Sequence, residues 1–101
     1  MNLLFVSNSD GPNQVTITPS TQSYTLKEKE NLNHIQCTAD CIPVCTMTWS
    51  GPNLPAGTSS VLNIQNINRN QARNYQCTAS NDVSSKTSVV VNVVVQCKYY
   101  L

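Results

Sequence analysis

Residues 37–45 read CTADCIPVC and carry three of the five cysteines, Cys37, Cys41 and Cys45. On a helix, this four-residue spacing would line the thiols along one face, as a metal-binding stripe requires. Pro43 opposes a helix here, because inside one it removes a hydrogen bond and clashes with the preceding turn, at a cost of ~3 kcal/mol or more. The neighbouring Thr38, Thr46 and Thr48 are β-branched and favour extended chain. On a strand, His34 and Cys37 have opposite parity and face opposite sides, which disfavours a ligand set of His34, Cys37, Cys41 and Cys45. His34 reads instead as an exposed strand residue, and no cofactor or metal is expected.

Working outward, the composition also favours β structure. Only 11% of the 101 residues are charged, and Val, Thr, Ser and Asn dominate. The length suits one domain with its own core. A net charge of +1 with scattered basic residues gives no footprint for nucleic acid. No apolar run is long enough to span a bilayer, so no membrane insertion by this segment is expected. The start, MNLLFVSNSD, has no basic n-region and too short an apolar stretch for a signal peptide.

Short β-like runs alternate with turn clusters: 15–18, 23–26, 33–39, 45–50, 60–64, 75–80 and 87–95. Seven such runs predict an all-β antiparallel sandwich or barrel. Residues 1–12 read as a linker or expression-derived segment, 13–96 as the domain and 97–101 as a tail.

Trp49 follows Cys37 by twelve residues, and Tyr75 stands two before Cys77. Leu62, Ile64 and Ile67 precede that pair, and Ile35 stands two before Cys37. This constellation resembles immunoglobulin-superfamily domains of the I-set or C2 type, similar to those in carcinoembryonic-antigen-like, sialoadhesin-like and hemicentin-like tandem arrays. The resemblance implies an immunoglobulin-like β-sandwich with Trp49, Tyr75, Leu62, Ile64 and Ile35 in the core. Leu62 follows Trp49 by only thirteen residues, which implies a shortened C′/D region. It also implies an extracellular module, secreted or on a cell surface, in adhesion or immune recognition. A spacer role within a multi-domain array is the alternative.

The sequence departs from the family at two places. The usual D-x-G-x-Y-x-C corner has Gln71 for the acid and Arg73 for the glycine. An Arg69 ion pair with position 71 is therefore lost or becomes a neutral hydrogen bond. Near Cys37, Asn33 stands where an apolar residue is expected and Leu32 is displaced by one, which predicts a β-bulge at 32–34.

Five cysteines permit fifteen pairings that leave one over. The resemblance implies a Cys37–Cys77 bond between the sheets, worth about 4 kcal/mol for a loop of its size in the chain-entropy model. Cys41 and Cys45 flank a loop turned by Pro43 and are expected to pair, contributing about 2 kcal/mol at most. Disulfides imply an oxidising setting. Cys97 then lies at the far end of the last strand, roughly 30 Å from that loop. It is a free thiol, the link in a Cys97-linked dimer, or one half of a disulfide to a neighbouring domain.

No catalytic motif is present: the single histidine has no nucleophile or carboxylate partner at useful spacing, and no enzyme activity is expected. Calcium at Asp40 or Asp82 would rest on isolated carboxylates. None of the asparagines opens an N-x-S/T sequon. What remains is surface. Strand parity turns Thr46, Thr48, Gln76 and Thr78 outward. A last strand over about 86–96 would place Val89, Val91, Val93 and Val95 inward and Val90, Asn92 and Val94 outward. This uncharged face is one candidate surface for a protein ligand or another immunoglobulin domain, a second copy of the chain included. The other is the loop tip Ile42, Pro43 and Val44 with Asn81 and Asp82 at the same end, unless Ile42 or Val44 tucks over the core above Trp49.

Overall fold

A computed structural model describes residues 9–52, 54 and 60–97. Its strands are β1 (Val15–Thr18), β2 (Ser23–Lys27), β3 (Leu32–Ala39), β4 (Thr46–Ser50), β5 (Val61–Ile64), β6 (Arg73–Ser80), β7 (Ser85–Thr87) and β8 (Val91–Gln96). A 3-10 turn, Arg69–Gln71, joins β5 to β6. The strands form two sheets, β1-β3-β5 and β2-β8-β6-β4, with β7 also paired to β6. The chain is therefore a two-sheet, all-β sandwich. The first strand divides between the sheets at the cis Thr18–Pro19 peptide: β1 runs antiparallel to β3, whereas β2 runs parallel to β8. Most of the C′/D region, along with residues 1–8 and 98–101, lies outside the described residues.

Between the sheets lie Ile17, Leu32, Ile35, Trp49, Leu62, Ile64, Ile67, Tyr75, Val91 and Val93, packed around Cys37 and Cys77. The Cys37–Cys77 disulfide spans the layers with Cα atoms 6.5 Å apart. Trp49 is the direct cross-strand neighbour of Cys77, so its ring meets the disulfide from within its own sheet. The indole Nε1 donates to the carbonyl of Ser60 at 2.9 Å, and the Cys37 amide donates to the same oxygen at 2.9 Å. One carbonyl thereby satisfies two buried donors, a strong tie because unpaired polar groups are costly in a core.

The predicted bulge in β3 is present. Leu32 pairs with Ile64 and Ile35 with Leu62, so Asn33 and His34 together oppose one residue. The extra residue lets Leu32 and Ile35, three apart, both point inward, leaving Asn33 and His34 exposed.

A second bulge corrects the expectation for the last strand. Val89 is exposed, not buried, and the segment expected to be continuous is split into β7 and β8. Thr78 pairs with Thr87, yet Tyr75 pairs with Val91, so four steps on one strand match three on its neighbour. The buried Ser88 closes the gap. Its amide donates to the Cys77 carbonyl at 2.8 Å, and its Oγ accepts from the Cys77 amide at 3.0 Å. The side chain thus replaces a missing ladder acceptor, and Val91 and Val93 recover the inward positions.

Candidate binding surfaces

The register puts one set of side chains on the outer face of the larger sheet. Thr46 lies across from Ser80, Thr48 from Thr78, and Ser50 from Gln76. The rows continue as Ser80 to Ser85 and Thr78 to Thr87, then lower down as Asn74 to Asn92 and Ser23 to Asn92, with Thr25 beside Val94. These residues are exposed or half-exposed, and apart from Lys27 at the bottom edge none is charged. Val90 and Val94 supply the exposed apolar component. Sequence parity anticipated Thr46, Thr48, Gln76, Thr78, Val90, Asn92 and Val94 as outward-facing. It missed Ser23, Thr25, Ser85 and Thr87, which join this face only through the β2–β8 and β6–β7 pairings.

The other candidate surface is the end of the sandwich holding Pro43. Cys41 and Cys45 are bonded with Cα atoms 5.7 Å apart, across the cis Ile42–Pro43 peptide. With Cys37, Cys41 and Cys45 all in disulfides and His34 exposed, the four-residue metal set does not exist. The tip does not tuck over the core: Val44 is 88% exposed and Ile42 55%. The physical reason is the occupant beside it. Asp10 and Ile42 form an antiparallel bridge, donating to each other's carbonyls at 2.7 and 3.0 Å. Gly11 and Pro12, which read as linker, are buried against this end.

Asn81 holds the assembly together. Its Nδ2 donates to the carbonyls of Asp10 at 2.8 Å and Pro43 at 3.0 Å. Its Oδ1 accepts from the amides of Val83 and Ser84, at 3.1 and 3.2 Å, turning the chain from β6 into β7. One carboxamide therefore fastens the lead-in segment, the loop tip and the 81–84 turn. The signal in the sequence was the Asn-Asp pair after β6, since asparagine turns its own backbone in this way. Asp82 is exposed in the same turn, and Asp10 and Asp40 line an open cavity of about 290 Å³ with Asn13, Cys41 and Ile42.

At the opposite end, Arg69 has found a different acid. Its Nε lies 3.3 Å from Glu28 Oε2. Gln71 instead closes a reciprocal cap: its Oε1 accepts from the Asn68 amide at 3.0 Å, and Asn68 Oδ1 accepts from the Asn70 amide at 2.9 Å. Cys97, half-buried and unpaired, sits at this end, just past the point where the Glu28 amide meets the Gln96 carbonyl.

An immunoglobulin-domain family model matches residues 12–81, most of the chain. The chain belongs to the immunoglobulin domain family. Among curated proteins none is similar enough in sequence to match. Solved structures give the same fold. A chimeric titin Z1Z2 carrying an exogenous decorin peptide is 18% identical, with a TM-score of 0.64 over 86% of this chain and 98% of that one. The Sidekick-1 immunoglobulin domains 1–5 are 20% identical, with a TM-score of 0.65, covering 86% of this chain but 20% of that one. Dpr11 IG1 bound to DIP-gamma is 23% identical, with a TM-score of 0.63 over 84% of this chain and 48% of the other. The chain thus spans between a fifth and a half of those two longer relatives.

Proposed function

We propose that the chain is an extracellular, non-catalytic protein-binding module in cell adhesion or immune recognition, and that it binds through the outer face of its larger sheet. The carrying observation is the uncharged grid from Thr46 across Thr78 to Thr87 and down to Val94. Charged side chains are depleted from interface centres because their desolvation is costly, whereas hydroxyls and carboxamides re-form hydrogen bonds across the contact. A partner with a similar face fits this surface, and a second immunoglobulin domain, including a second copy, is such a partner. Two disulfides support an oxidising, extracellular setting. The complex of Dpr11 IG1 with DIP-gamma is an instance of one such domain bound to another.

Sedimentation equilibrium tests this. A face-to-face pair is uncharged and closed by two-fold symmetry, so at about 0.5 M salt, where contacts between exposed charges are screened, the mass should level at a dimer. Val94→Glu buries a charge at the contact and should remove this salt-resistant dimer. A wild-type chain that stays monomeric rejects self-recognition, and a dimer unaffected by Val94→Glu rejects this face. A covalent dimer through Cys97 would appear as a doubled band on a non-reducing gel that collapses on reduction; a single band under both conditions rejects it.

The spacer reading has its own support in the fastening of Asp10 to Ile42 and Asn81, which fixes the direction in which the preceding chain enters. Slow amide exchange at Asp10 is expected of a stiff entry. Exchange at the unstructured rate rejects it.

A further inference from the structure

The charges that look dispersed in the sequence are sorted by the fold. Among the described residues, Asp10, Asp40 and Asp82 gather at the end holding the loop tip, with Lys86 as their only cationic neighbour, a net of −2. Lys27, Lys29, Arg69 and Arg73 gather at the other end with Glu28 and Glu30, a net of +2. Every described Lys, Arg, Asp and Glu belongs to one of these two groups, and the span of both sheets between them has none. The negative end also carries the exposed Ile42 and Val44. Val83 joins them at 51% exposure, its amide held by the same Asn81 that binds the Pro43 carbonyl.

We propose that a second copy of this domain docks end to end, its positive end (Lys27, Lys29, Arg69, Arg73) against the negative, apolar-tipped end (Asp40, Asp82, Val44, Val83) of the first. Opposite potentials at the two poles favour this orientation and oppose like-end contacts. The lysine and arginine stems supply apolar cover for Val44 and Val83 while their charges meet the aspartates. The lead-in chain enters at the negative end and β8 leaves at the positive end, so the axis of docking is also the axis of the chain. Such a contact joins two different patches. It therefore does not close, and it propagates into open-ended rows. This surface is separate from the sheet face described above, and neither proposal depends on the other.

The test is sedimentation equilibrium of Val94→Glu, which removes any face-to-face dimer, up to about 1 mM, a range suited to small, weak contacts, with each further substitution made in that background. In low salt the mean mass should pass that of a dimer and keep climbing with concentration. Raising salt to about 0.5 M should weaken association by roughly tenfold, since exposed charges are screened beyond a few ångströms. Asp40→Lys with Asp82→Lys makes both ends positive, and Lys27→Glu with Lys29→Glu makes both negative. Each variant alone should remain monomeric, and mixing the two should restore association. A mass that levels at the dimer, association indifferent to salt, a monomer throughout, or a mixture that stays monomeric would each overturn the proposal.

Discussion

The hydroxyl of Tyr75 donates to the carbonyl of Gln71 at 2.5 Å, four residues back along the chain. This bond ties the start of β6 to the 3-10 turn while the ring fills the core at 0% exposure. Gly51 makes room for it, since a Cβ there would lie 2.2 Å from Tyr75 Cδ2. Burial raises the Tyr75 phenol above its ordinary 10.0. A group whose folded value is raised contributes stability that is complete below the unfolded value and lost as pH climbs toward the folded one. Denaturant midpoints should therefore fall above about pH 10. Tyr75→Phe should cost about 1 kcal/mol at pH 7, one hydrogen bond's worth, and should flatten this alkaline loss. An equally steep loss in the variant would assign it to other tyrosines.

Arg73 holds a backbone φ of 154°, a region that suits glycine. It stands where the family corner has glycine, and its backbone adopts a geometry that suits glycine. Residues held in such regions cost of order 1–3 kcal/mol, against roughly 0.5–1 kcal/mol of extra chain freedom that glycine loses on folding. Arg73→Gly should therefore raise stability by about 1 kcal/mol, read as a higher urea midpoint at unchanged slope. A lower midpoint would show that the arginine side chain contributes more than its backbone costs.

The parts of the molecule that were legible in the sequence are those where residue type and spacing coincide with a local constraint. Cys37, Trp49, Tyr75 and Cys77 specify which residues must meet between two sheets, and Leu32 beside Ile35 announces a bulge because two inward residues stand three apart. The bulge at Ser88 left no such mark. In the run SVVVNVVV, every parity places a valine inward, so alternation could not locate the extra residue. The sorting of charge was hidden for another reason. Lys27 and Arg73 are distant in sequence and come to the same end of the sheet only because β2 and β6 both border β8. The Asn81 clamp likewise joins groups 71 and 38 residues away.

Asn81 is the point where removing one side chain should loosen three segments. Asn81→Ala leaves the Asp10 and Pro43 carbonyls and the Val83 and Ser84 amides without this partner. At a half-exposed site water replaces part of what is lost, so a cost of about 2 kcal/mol is expected. The more specific readout is local. Amide exchange should speed up together at Asp10, Ile42 and Ser84 while Cys37 and Leu62, deep in the sandwich, change little. Uniform acceleration across the domain would show instead that the clamp supports the whole fold.

The two disulfides should separate under mild reduction. Cys37 and Cys77 are at most 1% exposed beneath both sheets, so a reductant reaches them only when the domain opens. Cys41 is half-exposed at the tip, where a thiolate can approach its sulfur without unfolding. Dithiothreitol followed by alkylation should therefore label Cys41 and Cys45 first, with Cys97 labelled without any reductant. The tip should loosen, at a cost of about 2 kcal/mol at most, because the bridge closes a very short loop. The native fold should persist, because the inner bond and the Trp49 packing are untouched. If peptide mapping finds all four disulfide sulfurs labelled at one rate, the tip and the core open as a unit, and the outer bridge has no independent existence in solution.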